Sequence, residues 1–477
     1  MTERMTKVQS PEEGLQEGEQ PPPEEHPIML HADADSVSSS GSSSSWLEVR
    51  FQQQCDAKRF VEFMRLCILF AAIHTMSAAT SFFSSLYPVQ PGAPARHSAV
   101  DAFLASSNIM AIDISSAFFV VTGFFCAFTV ANINSADIKT LYKIVLLNTL
   151  LDAWLATILS IVFGSLFHLM RHAFAVHDIA LTALEGFTCL RTLELRQDPA
   201  AMHSLNPSSW PVMCVLYAFL LTPWTMSSNN RLHGCYPSAG LLLLLVNALV
   251  PIVTISLFAL LHEDTNIFFI NSTHFGYRLL EYNVGICFFM CVQKYPVICT
   301  KFTYAVTCLY PLVTVMFLLL WWAQLGTAVA PNYGTCIRMY YFSPCVQMHH
   351  GFLMRGCFLG ITLLCKITLT HQQTPDTILH TEILHSTGIW LASSVSSVLF
   401  IWPACYILHI ILEINFSLTL VYENATLLVV LAPVITFMLS WLWNHTWKIP
   451  IVSAFEKGVD RAYVSCFRPK LDEQVIV

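Results

Sequence analysis

Ionisable side chains inside long apolar stretches are the residues of this sequence best suited to chemistry. His74 lies near the middle of the first such stretch, and Arg59 and Arg65 precede it. Charged groups are costly to bury in lipid, so each one is a functional candidate by default. An imidazole can act as a general base, and a nearby cation can stabilise a developing oxyanion. The first stretch and the residues just before it therefore offer both a base and a cation for the oxyanion.

Four further ionisable residues fall within or at the edge of later apolar stretches, and each has a structural alternative. They are Asp113, Arg278, Glu281 and His409. Asp113 and Glu281 can partner a buried arginine or a helix end. His409, one turn after Tyr406, can form a hydrogen bond between helices, and the same alternative holds for His74.

The composition predicts that these residues sit in a membrane. Of the 477 residues, 55% are hydrophobic and 12% are charged, whereas soluble proteins carry about a quarter charged residues. The net charge of -7 owes much to an acidic N-terminal segment and does not indicate a nucleic-acid partner. The sixteen cysteines form no pair of Cys-x-x-Cys motifs, so no metal site is predicted.

Recurring apolar stretches of about 20 residues predict an all-α, polytopic membrane helix bundle. Residues 1–57 are acidic and serine-rich and predict a disordered cytosolic tail. Residues 58–447 predict the transmembrane domain, and 448–477 a cytosolic C-terminal tail. The predicted spans number ten. A count of nine or eleven stays possible because the sixth span is short and Pro403 interrupts the ninth. The ten spans cover 60–83, 110–131, 143–167, 209–226, 240–261, 279–293, 302–325, 351–370, 389–412 and 425–444.

The segment between the third and fourth spans has an apolar stripe at helical spacing. The stripe consists of Val176, Ala180, Leu184, Phe187 and Leu190, and polar residues lie off it. This pattern predicts either an interfacial helix lying on the membrane or a loop helix packed on protein.

Lysine and arginine placement predicts the orientation of the spans. With ten spans and a cytosolic N-terminus, thirteen of these residues fall on the cytosolic side and seven on the opposite side. The positive-inside rule then places both termini in the cytosol. The glycosylation sequons at Asn271, Asn415 and Asn424 all fall on the outer side in this topology, and that of Asn444 at the inner edge.

This orientation predicts that tags at both ends are reachable from the cytosol without permeabilising internal membranes. An N-glycan is expected on Asn271, Asn415 or Asn424, and none on Asn444. Protease protection and glycosidase-sensitive shifts in gel mobility measure both outcomes. A glycan on Asn444 would contradict the ten-span topology.

Five short motifs follow one another along the apolar stretches. The first stretch has Arg65 and His74, and the second has Asp113 followed by Phe118 to Phe124. Later motifs are the segment from Tyr217 to Pro223, Tyr406 with His409, and Glu456 with Lys457 after the last span. In this order, the motifs resemble the acyltransferase-3 family of integral membrane acyltransferases, most closely its nose-resistant-to-fluoxetine-like branch.

The resemblance implies transfer of an acyl group from acyl-CoA to a hydroxyl of a lipid or carbohydrate acceptor. It implies that His74 is the catalytic base, with acyl-CoA as co-substrate and no permanently bound cofactor. The phosphates of coenzyme A need basic groups at the cytosolic mouth, where the topology places Lys139 and Lys143.

The first helix departs from the family in the spacing of its arginine and histidine. The family separates the two residues by eleven positions, whereas Arg65 precedes His74 by nine. At about 100° per residue, nine steps place the two side chains on opposite faces of a regular helix. Arg59, fifteen residues before His74, would lie within about 60° of its face. If the helix is regular, Arg59 takes the place of the family's first-helix arginine beside His74. If a bulge or kink lies between Arg65 and His74, Arg65 takes that place.

Two other interpretations of the sequence stay open. A transporter would use intramembrane charges to line a substrate path. The halves of this sequence show no convincing internal repeat, which favours the enzyme. A catalytically inactive scaffold gains support from the altered first helix and from the absence of the family's acidic residue before Tyr217.

Overall fold

A computed structural model describes nine substantial parts of the chain. They are residues 63–80, 82–83, 99–132, 135–171, 176–188, 205–235, 274–294, 381–415 and 425–467, with shorter pieces inside 242–249, 301–315 and 356–365. In this part of the chain, regular structure is entirely helical and no strand occurs. The predicted all-α class is confirmed there.

Nine longer helices form the described part of the bundle, and we number them in chain order. Their bounds are α1 Phe63–Thr80, α2 Ala99–Asn132, α3 Ser135–Met170, α4 Val176–Thr188, α5 Trp210–Cys235, α6 Phe275–Lys294, α7 Thr381–Asn415, α8 Ala425–Leu442 and α9 Lys448–Phe467. A 3₁₀ turn, Pro207–Ser209, precedes α5, and a π-helical turn, Trp443–Trp447, joins α8 to α9.

Six described helical segments are long and apolar enough to cross a membrane. They cover Phe63–Thr80, Ile114–Ala131, Val145–Met170, Pro207–Leu232, Ala392–Ile414 and Leu427–Phe455. Each overlaps a predicted span, so the chain is a multi-pass membrane protein. The 20-residue α6 coincides with the predicted sixth span. The predicted spans at 240–261, 302–325 and 351–370 lie largely outside the described residues, as does the tail at 1–57, so the count of ten stays a prediction.

Helices α2 and α6 pack backbone against backbone at two glycines. A Cβ on Gly123 would overlap the backbone carbonyl of Tyr282, and a Cβ on Gly285 would overlap that of Val120. Small residues let membrane helices approach this closely. The contact fixes the position of α6, whose first two turns carry Arg278 and Glu281.

Gly285→Ala is expected to destabilise the protein by about 1–3 kcal/mol, because the added methyl group forces α2 and α6 apart. Gly458→Ala is the matched control, since a Cβ there has no neighbour within 4 Å. Thermal unfolding of the purified protein measures both variants. Equal unfolding temperatures for the two variants would contradict the close contact.

Pro403 does not break α7, contrary to the possibility left open by the sequence. The helix runs without interruption from Thr381 to Asn415. A proline at this position cannot donate to the carbonyl of Leu399, four residues earlier. The side-chain Nδ2 of Asn206 donates to that carbonyl instead, at 2.9 Å. The segment before α5 thus satisfies the acceptor that the proline leaves open.

Helix α4 packs antiparallel along α3 and not as an isolated surface helix. Trp154 Nε1 donates to the carbonyl of Phe187 at 3.1 Å, and Gly186 lies directly against Thr157. The polar face, with Thr182 and Glu185, is buried. The apolar stripe faces outward, where a membrane protein meets lipid. The arrangement combines features of both alternatives, because the polar face packs on protein while the apolar stripe lies outward as it would in an interfacial helix.

The last apolar helix continues beyond the predicted end of the domain. The π-helical turn carries the chain directly from α8 into α9, which ends at Phe467. Lys448, at the start of α9, is buried. The first residue of the segment expected to be a tail is therefore part of the bundle.

Candidate functional site

His74 is enclosed in the bundle at the middle of α1. Only 7% of its surface is exposed. Its ring stacks on Phe70, with centroids 5.5 Å apart, and meets the indole of Trp210 edge-on at 5.8 Å. Nε2 lies 3.4 Å from the carbonyl oxygen of Ser208. Nδ1 has no hydrogen-bond partner among the described residues.

The contact with Ser208 assigns the protonation of the ring. A hydrogen bond to a carbonyl requires a proton on Nε2, so the neutral imidazole keeps the lone pair on Nδ1. A general base needs such an available lone pair. The 3₁₀ turn before α5 therefore orients the His74 ring as a general base would be oriented.

Trp210 joins His74 to a buried arginine from a distant part of the chain. The guanidinium carbon of Arg278 lies 5.0 Å from the indole centroid and 5.5 Å from the ring of Phe119. Arg278 is 1% exposed. Cation–π contacts of this kind strengthen when the cation is desolvated. A positive charge thus lies against the same indole as the imidazole.

Glu281 and Ser116 hold the guanidinium in place. Arg278 Nη1 donates to Glu281 Oε2 at 2.7 Å and to Ser116 Oγ at 3.0 Å. Ser116 Oγ in turn donates to Glu281 Oε1 at 2.7 Å. The carboxylate offsets the charge of the arginine, and both residues are buried. Of the sequence candidates, the structure thus brings together His74, Arg278 and Glu281.

The structure does not bring Arg65 to His74. Helix α1 is α-helical throughout, with no bulge between the two residues. Nine helical steps set them on opposite faces, and Arg65 is exposed whereas His74 is buried. Arg278 provides the buried cation that the sequence assigned to the first helix. Arg59 lies outside the described residues.

His409 belongs to a second cluster, between α3 and α7. Its Nε2 lies 3.4 Å from Nη2 of Arg171, and its Nδ1 lies 3.4 Å from a carboxylate oxygen of Glu413. The ring also meets Phe167 edge-on at 5.1 Å. Glu413 lies on α7 itself, so the contacts with Arg171 and Phe167 are the ones that match the interhelical pairing named as the structural alternative for His409.

The remaining sequence candidates have backbone positions only or lie outside the described residues. Asp113 lies on α2, Lys139 and Lys143 lie near the start of α3, and Asn415 ends α7. Their side chains are not among those described. The sequons at Asn271 and Asn424 also fall outside the described residues. These assignments stay predictions.

Sequence reasoning missed a buried network centred on Asp152 of α3. Its carboxylate accepts from Lys448 Nζ at 2.6 Å, from Ser396 Oγ at 2.5 Å and from Trp443 Nε1 at 2.8 Å. Asn444 Nδ2 donates to Ser396 Oγ at 3.2 Å. An aspartate inside an apolar stretch is a functional or structural candidate by default. Asp152 could therefore have been identified from the sequence on the same grounds as Asp113.

The helices and the buried polar clusters define this chain as a multi-pass membrane protein that is all-α, with ionisable groups in its interior, over the residues that the structure describes. Comparison with known protein families, with curated proteins and with solved structures finds no match. The resemblance to acyltransferase-3 proteins rests on the motifs quoted above.

Proposed function

We propose that the chain is an integral membrane O-acyltransferase that moves an acyl group from acyl-CoA to a hydroxyl of a lipid or carbohydrate. The observation that carries the proposal is the convergence of three separate stretches. His74 of α1, Ser116 just before the Phe118 to Phe124 motif, and Arg278 with Glu281 of α6 form one buried cluster around Trp210.

In this mechanism, His74 Nδ1 takes the proton of the acceptor hydroxyl as its oxygen attacks the thioester carbonyl. A carbon–oxygen bond forms, and the carbonyl oxygen becomes an oxyanion. The carbon–sulfur bond then breaks, and the leaving thiolate takes the proton back from His74. The positive charge of Arg278, held by Glu281 and Ser116, stabilises the oxyanion. Lys139 and Lys143 are proposed to hold the phosphates of coenzyme A.

A specific observation favours a second candidate, a catalytically inactive acyltransferase-like scaffold. The His74 ring is covered by Phe70 and Trp210. The cavity on the other side of Phe70 is lined, among the described residues, by neither His74 nor any lysine or arginine. An active site needs a path for the thioester to His74, so the enzyme requires the aromatic cover to open.

Transfer of an isotopically labelled acyl group tests the proposal. The protein is reconstituted in bilayers with labelled acyl-CoA and with total lipid and glycan fractions as acceptors. The label is expected to appear in one acceptor fraction as free coenzyme A is released in equal amount. Membranes lacking the protein are the control. Equal labelling of all fractions with and without the protein would contradict the acyltransferase proposal. The catalytically inactive scaffold would then be the remaining candidate.

A further inference from the structure

An apolar cavity of about 260 Å³ lies between α1, α2, α3, α5 and α7. Its walls include the aromatic rings of Phe63, Phe70, Phe118, Phe125 and Phe219, together with aliphatic side chains of α5. None of the described residues that line it is charged. Polar side chains occur only at Thr129, Thr149 and Cys126. Such walls suit a hydrocarbon and offer few partners to the amides of a pantetheine arm.

The two ends of the cavity differ in character. At one end, the rings of Phe70 and Phe118 stack 4.1 Å apart with an interplanar angle of 4°. Phe70 stacks in turn on His74, so this pair is the wall between the cavity and the polar cluster. At the other end lies Thr129, in the last turn of α2. This end is the polar end.

The size of the cavity sets the length of chain that it accepts. A protein cavity of about 150 Å³ lined by aliphatic and aromatic side chains holds benzene, with its six carbons. In proportion, 260 Å³ has room for about ten carbons. Along α2, Phe118 and Thr129 are eleven residues apart, or about 16 Å at the helical rise. A single extended chain of that size fits this length.

We propose that this cavity binds one aliphatic chain of about ten carbons, with the chain end against the Phe70–Phe118 wall and the polar head at the Thr129 end. The ligand class is a single-chain fatty acid or the tail of a phospholipid, which share this chemistry. The site is separate from the His74 cluster. A test of chain binding in the cavity therefore does not depend on whether the protein catalyses acyl transfer.

Photolabelling of the protein in nanodiscs tests the site. The probes are hexanoic, decanoic and hexadecanoic acids that carry a diazirine on the last carbon, and a phosphatidylcholine with the same decanoyl diazirine tail. Decanoic acid is expected to label most strongly, with adducts on the peptides that contain Phe70 or Phe118. Labelling that is equal for all chain lengths, or adducts outside the cavity walls, would overturn the proposal. Labelling by the phospholipid alone would show a structural lipid tail and would overturn a fatty acid ligand.

Two substitutions that change the cavity in opposite directions separate binding from folding. Val215→Phe fills the space and is expected to weaken decanoic acid labelling at least tenfold, since each excluded methylene costs about fourfold. Phe219→Ala enlarges the space and is expected to move the optimum toward longer chains. Val162→Phe, on the exposed face of α3, is the matched control and keeps the labelling of the unaltered protein. Opposite shifts cannot both arise from unfolding, and unchanged labelling in both cavity variants would refute the site.

Discussion

His74→Gln is expected to lower the rate of acyl transfer by about 10²–10⁴-fold, the usual contribution of a general base. Glutamine can still donate a hydrogen bond to the carbonyl of Ser208, as His74 Nε2 does at 3.4 Å. Its amide cannot accept a proton near neutral pH. A structural role at position 74 would therefore survive the substitution, and a catalytic role would not. Initial rates with labelled acyl-CoA measure the difference.

His409→Gln is the matched control, because it makes the same change in the cluster between α3 and α7. That variant is expected to keep its transfer rate after correction for the amount of folded protein. Arg278→Gln and Arg65→Ala form a second pair, with a large loss of rate expected only for Arg278→Gln. Full activity in His74→Gln would exclude the catalytic assignment. A large loss in Arg65→Ala with none in Arg278→Gln would exclude the cluster around Trp210.

The extent of the helices was predictable from the sequence because apolar length is a local property. A membrane span needs about 20 apolar residues wherever its neighbours lie. The six helices that are long and apolar enough to cross a membrane follow from that requirement alone. The enclosure of His74 within the bundle was predictable on similar grounds, since an imidazole that faces lipid without a partner is costly.

The partner of His74 was not predictable, because it depends on which helices meet. Arg278 lies far from His74 in sequence, and it reaches Trp210 because α6 packs against both α2 and α5. Sequence spacing considers one helix at a time, and it directed attention to Arg59 and Arg65. The satisfaction of Leu399 by Asn206 is similar. A proline in a span predicts that the carbonyl four residues earlier loses its helical donor, but it does not predict which residue donates to that carbonyl instead.

Asp152→Asn is expected to destabilise the protein by about 3–5 kcal/mol, because it leaves the charge of Lys448 buried without its counter-ion. The two side chains are 2.6 Å apart, and both are buried in the structure. Asparagine keeps an oxygen that can accept from Ser396 or Trp443. The loss therefore reports mainly on the ion pair that ties α3 to the start of α9. Thermal unfolding of the purified protein measures it.

Adding Lys448→Met to Asp152→Asn is expected to restore most of the lost stability. With both charges removed, neither group is left uncompensated, and such replacements are often neutral. Lys457→Met, on the exposed face of α9, removes a lysine of the same helix and is the matched control, with a change expected within about 0.5 kcal/mol. If the double variant were less stable than either single variant, the pair would not act as a unit. In that case the π-helical turn, through Trp443 and Asn444, would hold α9 against the bundle without the ion pair.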